Sequence, residues 1–341
     1  MSPAKPPLTS RRAAWLERLA VARAWLFLAL LILGFEVWAQ VFSGVSFIAN
    51  SYNIRSIAVF AVAPLLLAVG QTYVIISGGI DLSVGFTMGL ASVIAAQVTG
   101  AASTVVGPVL GLVIGIAATL AAAVVPGLIN GLLIARLGVP PFIGTLGMFG
   151  VARGAAYLIA GGTTVPVSNP ILSSLGNGAL FGVPVLVLIA AVALLLLHYL
   201  LSQTKFGQYT YSIGGNRQAS LRAGINVGRV TTYLYILSAL CAAVGGILYA
   251  GRFSAGAAQA GEPLLLDSIA AVVIGGASLF GGSGTIVGTI IGALIVAVIQ
   301  YGLVFIDVEP FWQFIAVGVV IIISVLVDQG QRRLSGGRVD E

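Results

Sequence analysis

Apolar runs long enough to cross a lipid bilayer recur along the whole of this 341-residue chain. A bilayer core about 30 Å thick requires roughly 20 apolar residues per helix. Charged residues make up only 8% of the chain, whereas soluble domains carry roughly a quarter, so most of the surface must face lipid or other apolar helices. The pattern predicts an all-α fold, a polytopic transmembrane helical bundle in contact with membrane lipid.

We predict about ten spans, some of them broken or re-entrant. The run Asp267–Phe280 is too short to cross comfortably and is interpreted as re-entrant. The stretch Gly127–Ala135 either extends the fourth helix past Pro126 or forms a short extra segment. The predicted spans are Trp25–Phe42, Ser56–Ile76, Val84–Val98, Thr104–Val125, Phe142–Ala160, Val183–Leu201, Thr232–Ala250, Asp267–Phe280, Thr285–Phe305 and Phe311–Val327.

The arginines and lysines between the runs predict the orientation of the chain. Cytoplasmic segments carry an excess of basic residues. With the N-terminus in the cytoplasm, only Arg55 and Arg252 of the connecting cations fall outside. The cations that fall inside are Arg136, Lys205, Arg217, Arg222, Arg229, Arg332, Arg333 and Arg338. We therefore expect both termini to be cytoplasmic.

The same reasoning divides the chain into three parts. Residues 1–24 form a basic cytoplasmic segment, 25–328 form the transmembrane domain with a cytoplasmic loop at 202–230, and 329–341 form a cytoplasmic tail. The first apolar run exceeds the roughly 7–15 residues of a signal-peptide core. We interpret it as an uncleaved membrane helix.

Several functions are excluded or disfavoured by missing residues. The chain has one cysteine, Cys241, and one histidine, His198, so it can form neither an internal disulfide nor a two-histidine metal site, and we predict no metal site. Its net charge of +6 is spread over the connections, which does not indicate nucleic-acid binding. The phosphate-binding motif Gly-x-x-x-x-Gly-Lys-Ser/Thr is missing, so the chain cannot hydrolyse ATP through that motif.

A glycine-rich segment between the second and third runs holds the first functional candidates. Gln71 lies in the stretch Gly70–Thr72, and Asp81 and Ser83 lie in the sequence Ser77–Gly85. An aspartate between two spans is expensive unless it is paired or solvated, so these three residues are candidates for the transport pathway. Capping of the next helix is the favoured role for Asp81. The glycines expected to break the helix or to allow close packing here are Gly78, Gly79 and Gly85.

An internal echo of this segment occurs near the C-terminus. Ile75–Gly85 aligns with Val272–Gly282, and four positions are identical, three of them glycines. Transporters are often built from repeats with glycine-interrupted helices at matching positions. Gly275 and Gly276 are therefore candidates for a second break, although tight packing through small residues explains most glycines of this region.

The basic loop contains a short predicted helix. Asn216 is a candidate N-cap, Gln218 to Ala223 favours a helix, and Gly224 is a candidate stop. Such a helix can dock into a groove of a partner, while a simple positive connector is the plainer alternative. The candidate coupling residues are Asn216, Gln218, Ala219, Arg222 and Gly224.

Three further charged residues lie at or near membrane depth, namely Glu36, Arg153 and Asp267. Glu36 and Arg153 are few residues from predicted span ends. For both we interpret the side chain as reaching the interface, with a buried pairing as the alternative.

These segments together resemble the permease family of bacterial ATP-binding-cassette (ABC) importers for ribose, xylose, arabinose and related monosaccharides. The similar residues are the stretch Gly70–Thr72, the run Gly78–Gly85, Gly214–Asn216 with Gly224–Val227, and Asp267–Gly276 with the tail Gly281–Gly292. The resemblance covers roughly Ser51 to Asp328, in order and at similar spacing.

The resemblance implies a permease of the bacterial inner membrane that pairs with a second copy of itself. It also implies an ATPase subunit, which uses ATP and Mg²⁺, and a periplasmic sugar-binding protein, with no cofactor bound by this chain. The loop at 214–225 is similar to the family's coupling segment. There Gln218-Ala219-Ser220 replaces the usual Glu-Ala-Ala, so a salt bridge from the first position is not carried over.

Three alternatives remain open on the sequence. One alternative is an importer of the same kind for a nucleoside or a furanosyl signal, because nothing in the sequence selects one sugar. An ion-coupled secondary transporter and a membrane enzyme are less favoured, since no row of intramembrane carboxylates and no convergent acid, base or metal set is present.

Overall fold

A computed structural model describes residues 24–309 and 311–334, and within them the chain forms thirteen helices. Two minimal antiparallel strand pairs join connecting segments: β1 (Val165–Pro166) pairs with β4 (Ala255–Gly256), and β2 (Ala179–Leu180) with β3 (Val183–Pro184). The helices are α1 (Ala24–Ser43), α2 (Ser51–Ile76), α3 (Val84–Val106), α4 (Pro108–Ala135), α5 (Pro141–Ala160), α6 (Pro170–Asn177), α7 (Val185–Gln203), α8 (Lys205–Gly215), α9 (Arg217–Arg222), α10 (Val227–Phe253), α11 (Glu262–Ile274), α12 (Ile286–Phe305) and α13 (Trp312–Leu334).

Eight helices of the described residues are long and apolar enough to cross a membrane, which confirms the polytopic helical bundle. They are α1 to α5, α7, α10 and α12. The other two predicted spans correspond to α13, whose apolar part is Trp312–Ile323, and to α11. With 13 residues, α11 is too short to cross alone, and residues 275–285 after it are not helical, as expected for a broken segment.

The predicted boundaries of the third and fourth spans are wrong. α3 continues to Val106, Gly107 alone forms the connection, and α4 runs from Pro108 through Pro126 to Ala135. The hydroxyls near the end of α3 do not break the helix because they bond within it; Ser103 Oγ, for example, donates to the Thr99 carbonyl at 2.5 Å. The stretch Gly127–Ala135 therefore extends the fourth helix.

Helix α2 lies at the centre of the bundle. In its most apolar stretch 83% of residues are buried, against 11% in α1 and 17% in α7, which lie at the periphery. α2 runs antiparallel to α12. At one end of this pair the Thr72 and Thr289 hydroxyls are 2.7 Å apart, and at the other Tyr301 donates to Asn53 Oδ1 at 2.6 Å.

The extramembrane segments are more ordered than the sequence indicates. Most of the predicted loop at 202–230 is helical, because it contains α8 and α9. Helix α13 continues to Leu334, beyond the predicted boundary at 328. The rest of the predicted tail and residues 1–23 lie outside the described residues.

Candidate functional site

The chain turns back into the bundle after α2. Gly78, with φ of +85°, follows the helix, and its N–H donates to the Ile75 carbonyl at 2.9 Å. This left-handed geometry is the common glycine ending of a helix. The Gln71 side chain then holds the backbone of Asp81, because its Nε2 donates to the Asp81 carbonyl and its Oε1 accepts from the Asp81 N–H at 3.3 Å. Asp81 therefore lies beside α2, about 7 Å short of the end of the helix.

The Asp81 carboxylate accepts three hydrogen bonds from neutral donors. Its Oδ1 accepts from the Ser83 N–H at 3.0 Å and from Ser83 Oγ at 2.6 Å, and its Oδ2 accepts from Ser238 Oγ at 2.9 Å. Ser83 Oγ in turn accepts from Asn130 Nδ2 at 2.9 Å. Each of these side chains is at most 2% exposed. One buried network, which we call the Asp81 network, thus ties the break to α2, α4 and α10.

The structure brings together Gln71, Asp81 and Ser83, as the sequence predicts, but in a different capping arrangement. Ser83 is the N-cap of α3 and its side chain makes no capping hydrogen bond. Asp81 accepts from the N-cap residue itself, so its carboxylate shapes the turn before α3 and does not cap the first turn of that helix. Ser238 and Asn130 were missed, and the only signal for them is a polar residue inside an apolar run.

A second break follows α11 and has the same local geometry. Gly276 has φ of +88°, its N–H donates to the Val273 carbonyl at 3.0 Å, and the Ala277 N–H donates to the Val272 carbonyl at 3.1 Å. Gly276 is therefore the structural counterpart of Gly78. The sequence echo pairs Gly78 with Gly275 and is out of register by one residue, since both segments contain Gly-Gly and identity alone cannot tell which glycine adopts the positive φ.

The remaining predicted glycines permit close contacts. A Cβ at Gly79 would lie 2.6 Å from the Tyr235 hydroxyl, and one at Gly85 would lie 2.7 Å from the Gly261 carbonyl oxygen. A Cβ at Gly275 would overlap the carbonyl oxygen of Gly288. Backbones meet at Gly85 and Gly275, and a side chain fills the space beside Gly79, so none of the three positions has room for a Cβ.

Both breaks meet α8 at one end of the bundle. The Gly282 N–H donates to the Ile76 carbonyl at 2.8 Å, and a Cβ at Gly214 would overlap that same carbonyl oxygen. A Cβ at Gly281 would lie 3.0 Å from both the Gly78 nitrogen and the Gly214 carbonyl oxygen. We call this contact of Ile76, Gly78, Gly214, Gly281 and Gly282 the backbone junction.

The short helix α9 follows this junction directly. Asn216 is its N-cap and accepts from the Ala219 N–H at 2.9 Å, and Gly224, with φ of +81°, follows its C-cap. Both ends match the sequence prediction to within a residue. The five candidate coupling residues are all exposed: Asn216, Gln218, Ala219, Arg222 and Gly224.

The three other charged residues differ in their surroundings. Glu36 closes the turn after α1, since its Oε2 accepts from the Phe47 N–H at 2.7 Å and the Ile48 N–H at 2.9 Å. Buried Asp267 accepts from Gln300 Nε2 at 2.7 Å and so links α11 to α12. Arg153 contacts an aromatic ring, since its guanidinium carbon lies 5.3 Å from the centroid of the Phe86 ring.

A membrane bundle with two helices interrupted at matching glycine-rich positions is typical of transporters. Residues 53–325 match the protein family described as "Branched-chain amino acid transport system / permease component". The chain is 40% identical over 266 residues to the ribose import permease RbsC of Bacillus subtilis, covering 77% of this chain and 80% of that protein.

Two further relatives carry other sugar names. The fructose import permease FrcC of Rhizobium meliloti is 35% identical over 280 residues, covering 79% of this chain and 76% of that protein. The galactose/methyl galactoside import permease MglC of Haemophilus influenzae is 35% identical over 291 residues, covering 82% and 87%. The chain therefore belongs to this permease family, which confirms the predicted resemblance, and it is a transport subunit of a membrane importer.

Proposed function

We propose that this chain forms the membrane pathway of an ATP-driven importer for a monosaccharide. The observation that carries the proposal is its 35–40% identity, over most of its length, to permeases named for ribose, fructose and galactose import. The family description names branched-chain amino acids, but these relatives carry sugar names. A nucleoside or furanosyl signal is the nearest alternative solute.

The proposal includes three partners and an orientation. A separate ATPase subunit hydrolyses ATP with Mg²⁺, a periplasmic protein delivers the sugar, and a second copy of this chain completes the pathway in the bacterial inner membrane. Both termini and α8–α9 face the cytoplasm, and the cations of this region support that side. Reporter fusions at Asp340 and near Asn177 should then report opposite sides, and equal reports would reject this topology.

The function is tested by reconstitution in liposomes with a cognate ATPase subunit and a cognate binding protein. Uptake of labelled ribose, fructose and galactose is compared with uptake of leucine and valine. We expect ATP-dependent accumulation of at least one sugar and none of either amino acid. Accumulation driven by an ion gradient without ATP would reject the ATP-driven importer, and leucine uptake would reject the sugar.

The ATPase is proposed to dock on α9 and to act on the two breaks through the backbone junction. Gly224 offers a local test, because nothing lies within 4 Å of a Cβ there and only its φ of +81° resists a side chain. Gly224→Val should strain the end of α9 by about 1–2 kcal/mol. The variant should insert and bind lipid normally, yet lose the stimulation of ATP hydrolysis by loaded binding protein.

The matched control is Gly215→Ala, since Gly215 has open space around it and no positive φ. That variant should keep normal stimulation. Full stimulation of Gly224→Val, with the ATPase still bound in a pull-down, would leave α9 as an ordinary connector.

A further inference from the structure

Arg153 is a charged side chain at membrane depth that the Asp81 network does not involve. It lies in α5, a helix long enough to cross the membrane, about 18 Å along the helix from Pro141 and about 10 Å from Ala160. Its side chain is exposed. An arginine in this position needs an explanation, because guanidinium groups inside membranes face the bundle interior or a water-filled cavity.

The side chain points toward the middle of the helix. Helical side chains tilt toward the N-terminal end, so Arg153 leans away from the nearer end at Ala160. Its guanidinium stacks over Phe86, which is fully buried, and the Phe86 ring meets Phe149 edge-on with centroids 4.6 Å apart. This aromatic pair holds the cation at depth.

The surface of α5 beside Arg153 is open. A Cβ at Gly147, Gly150 or Gly154 would meet nothing within 4 Å among the described residues. The guanidinium therefore borders free space along α5. Hydrocarbon is an unfavourable occupant for that space, whereas water is a favourable one.

An exposed carboxylate lies next to a close contact between the start of α3 and the segment before α11. Gly85 meets Gly261 closely, and these two glycines directly precede Phe86 and Glu262 in the chain. Glu262, in the first turn of α11, is exposed. A guanidinium offers up to five N–H donors and a carboxylate offers acceptors only, so the two residues together match hydroxyl groups, which both donate and accept.

We propose that Arg153 and Glu262 line the water-filled translocation pathway and hydrogen-bond the hydroxyl groups of the passing sugar. Phe86 and Phe149 position the guanidinium for this contact. The assignment rests on the proposed function, because a sugar importer supplies both the water and the hydroxylated solute.

Cysteine accessibility tests the pathway. Cys241 is the one cysteine of the chain and is buried, so Cys241→Ala gives a clean background. Arg153→Cys and Glu262→Cys, in the assembled transporter, should react with a charged, water-soluble methanethiosulfonate. Leu195→Cys should not react, because Leu195 is 69% exposed on the apolar peripheral helix α7 and we expect that face to contact lipid, not water. Labelling after denaturation confirms that each thiol is present.

Sugar uptake tests the contact. Arg153→Cys should lower ATP-driven uptake by about tenfold or more, the loss expected from one charged donor. A positively charged reagent at this cysteine should restore part of the uptake, and a negatively charged reagent of similar size should not. Glu262→Gln should also reduce uptake, while the complex still assembles.

Several results would overturn the proposal. If Arg153→Cys is as unreactive as Leu195→Cys during turnover, or forms a disulfide between two copies that excludes the reagent, the surface is not a water-filled pathway. Normal uptake by Arg153→Cys would show that Arg153 does not contact the solute. Labelling does not depend on which solute is transported. If the cysteines are labelled as expected but no sugar is taken up, the monosaccharide is rejected as the solute and the water-filled pathway is retained.

Discussion

Asp81 and Arg153 are both charged and both lie at membrane depth, but they meet opposite surroundings. Asp81 is 1% exposed and accepts three hydrogen bonds from neutral donors, whereas Arg153 is exposed and lies over an aromatic ring. A buried charge whose acceptors are filled from several helices holds those helices together. An exposed charge with free donors is available to a solute. A charged side chain whose acceptors are already filled by the protein is structural, whereas one with unfilled donors is available to a ligand.

The largest effect is expected from Asp81→Leu. Leucine leaves the Ser83 N–H, the Ser83 hydroxyl and the Ser238 hydroxyl without their acceptor, which should cost about 3 kcal/mol or more of unfolding free energy. Transport should be lost as well. Thermal unfolding in detergent and uptake in liposomes measure the two effects.

Asp81→Asn is the matched control for that change. The amide keeps the shape and one acceptor oxygen, and the Ser238 hydroxyl can turn to accept from the new N–H₂ group. Most stability and transport should remain. Loss of uptake by a well-folded asparagine variant would show that the charge itself is needed, and Asp81 would then not be a purely structural residue.

An intermediate effect is expected from Ser238→Ala, which removes a single donor from the network. A hydrogen bond to a charged group contributes about 1.5–3 kcal/mol, so the melting temperature should fall by less than in Asp81→Leu. Ser268→Ala is the control, because Ser268 is equally buried but bonds only to the Leu265 carbonyl of its own helix. Equal losses in the two variants would argue against a special role of the Asp81 network.

The smallest effect on stability is expected from Arg153→Leu. The folded state of this variant lacks only a cation–π contact, which is worth about 0.5–1 kcal/mol at an exposed site. The melting temperature should therefore stay close to that of the parent while uptake falls. A destabilisation as large as that of Asp81→Leu would make Arg153 a structural residue and remove the contrast.

Local chemistry could be predicted from the sequence, whereas distant partners could not. The ends of α9 at Asn216 and Gly224 and the break at Gly78 follow from capping rules that act within a few residues. The partners of Asp81 and Ser83 are remote, since Ser238 is 157 residues from Asp81 and Asn130 is 47 residues from Ser83. No local pattern specifies such pairings.

The misjudged helices share one physical cause. α8 lies in a segment predicted as a loop, yet its Gly207 and Gly214 are helical, and a Cβ at either would overlap a carbonyl oxygen, of Leu201 or Ile76. The end of α3 was predicted at Val98, whereas the helix continues to Val106 and the hydroxyls of Ser103 and Thr104 bond to its preceding turn. In a tightly packed membrane bundle, small and hydroxylated residues are selected for contact between helices as often as for turns.

The backbone junction has a mechanical consequence. Gly214, Gly281 and Gly78 meet through main-chain atoms, so no side-chain rotamer lies between α8 and the two breaks. Main-chain atoms in direct contact cannot adjust as side chains do. When α8 shifts, both breaks must therefore shift with it or the hydrogen bond from Gly282 to Ile76 must open. The stiffness of this link is thus set by the peptide backbone, and a shift of α8 acts directly on both breaks at that end of the bundle.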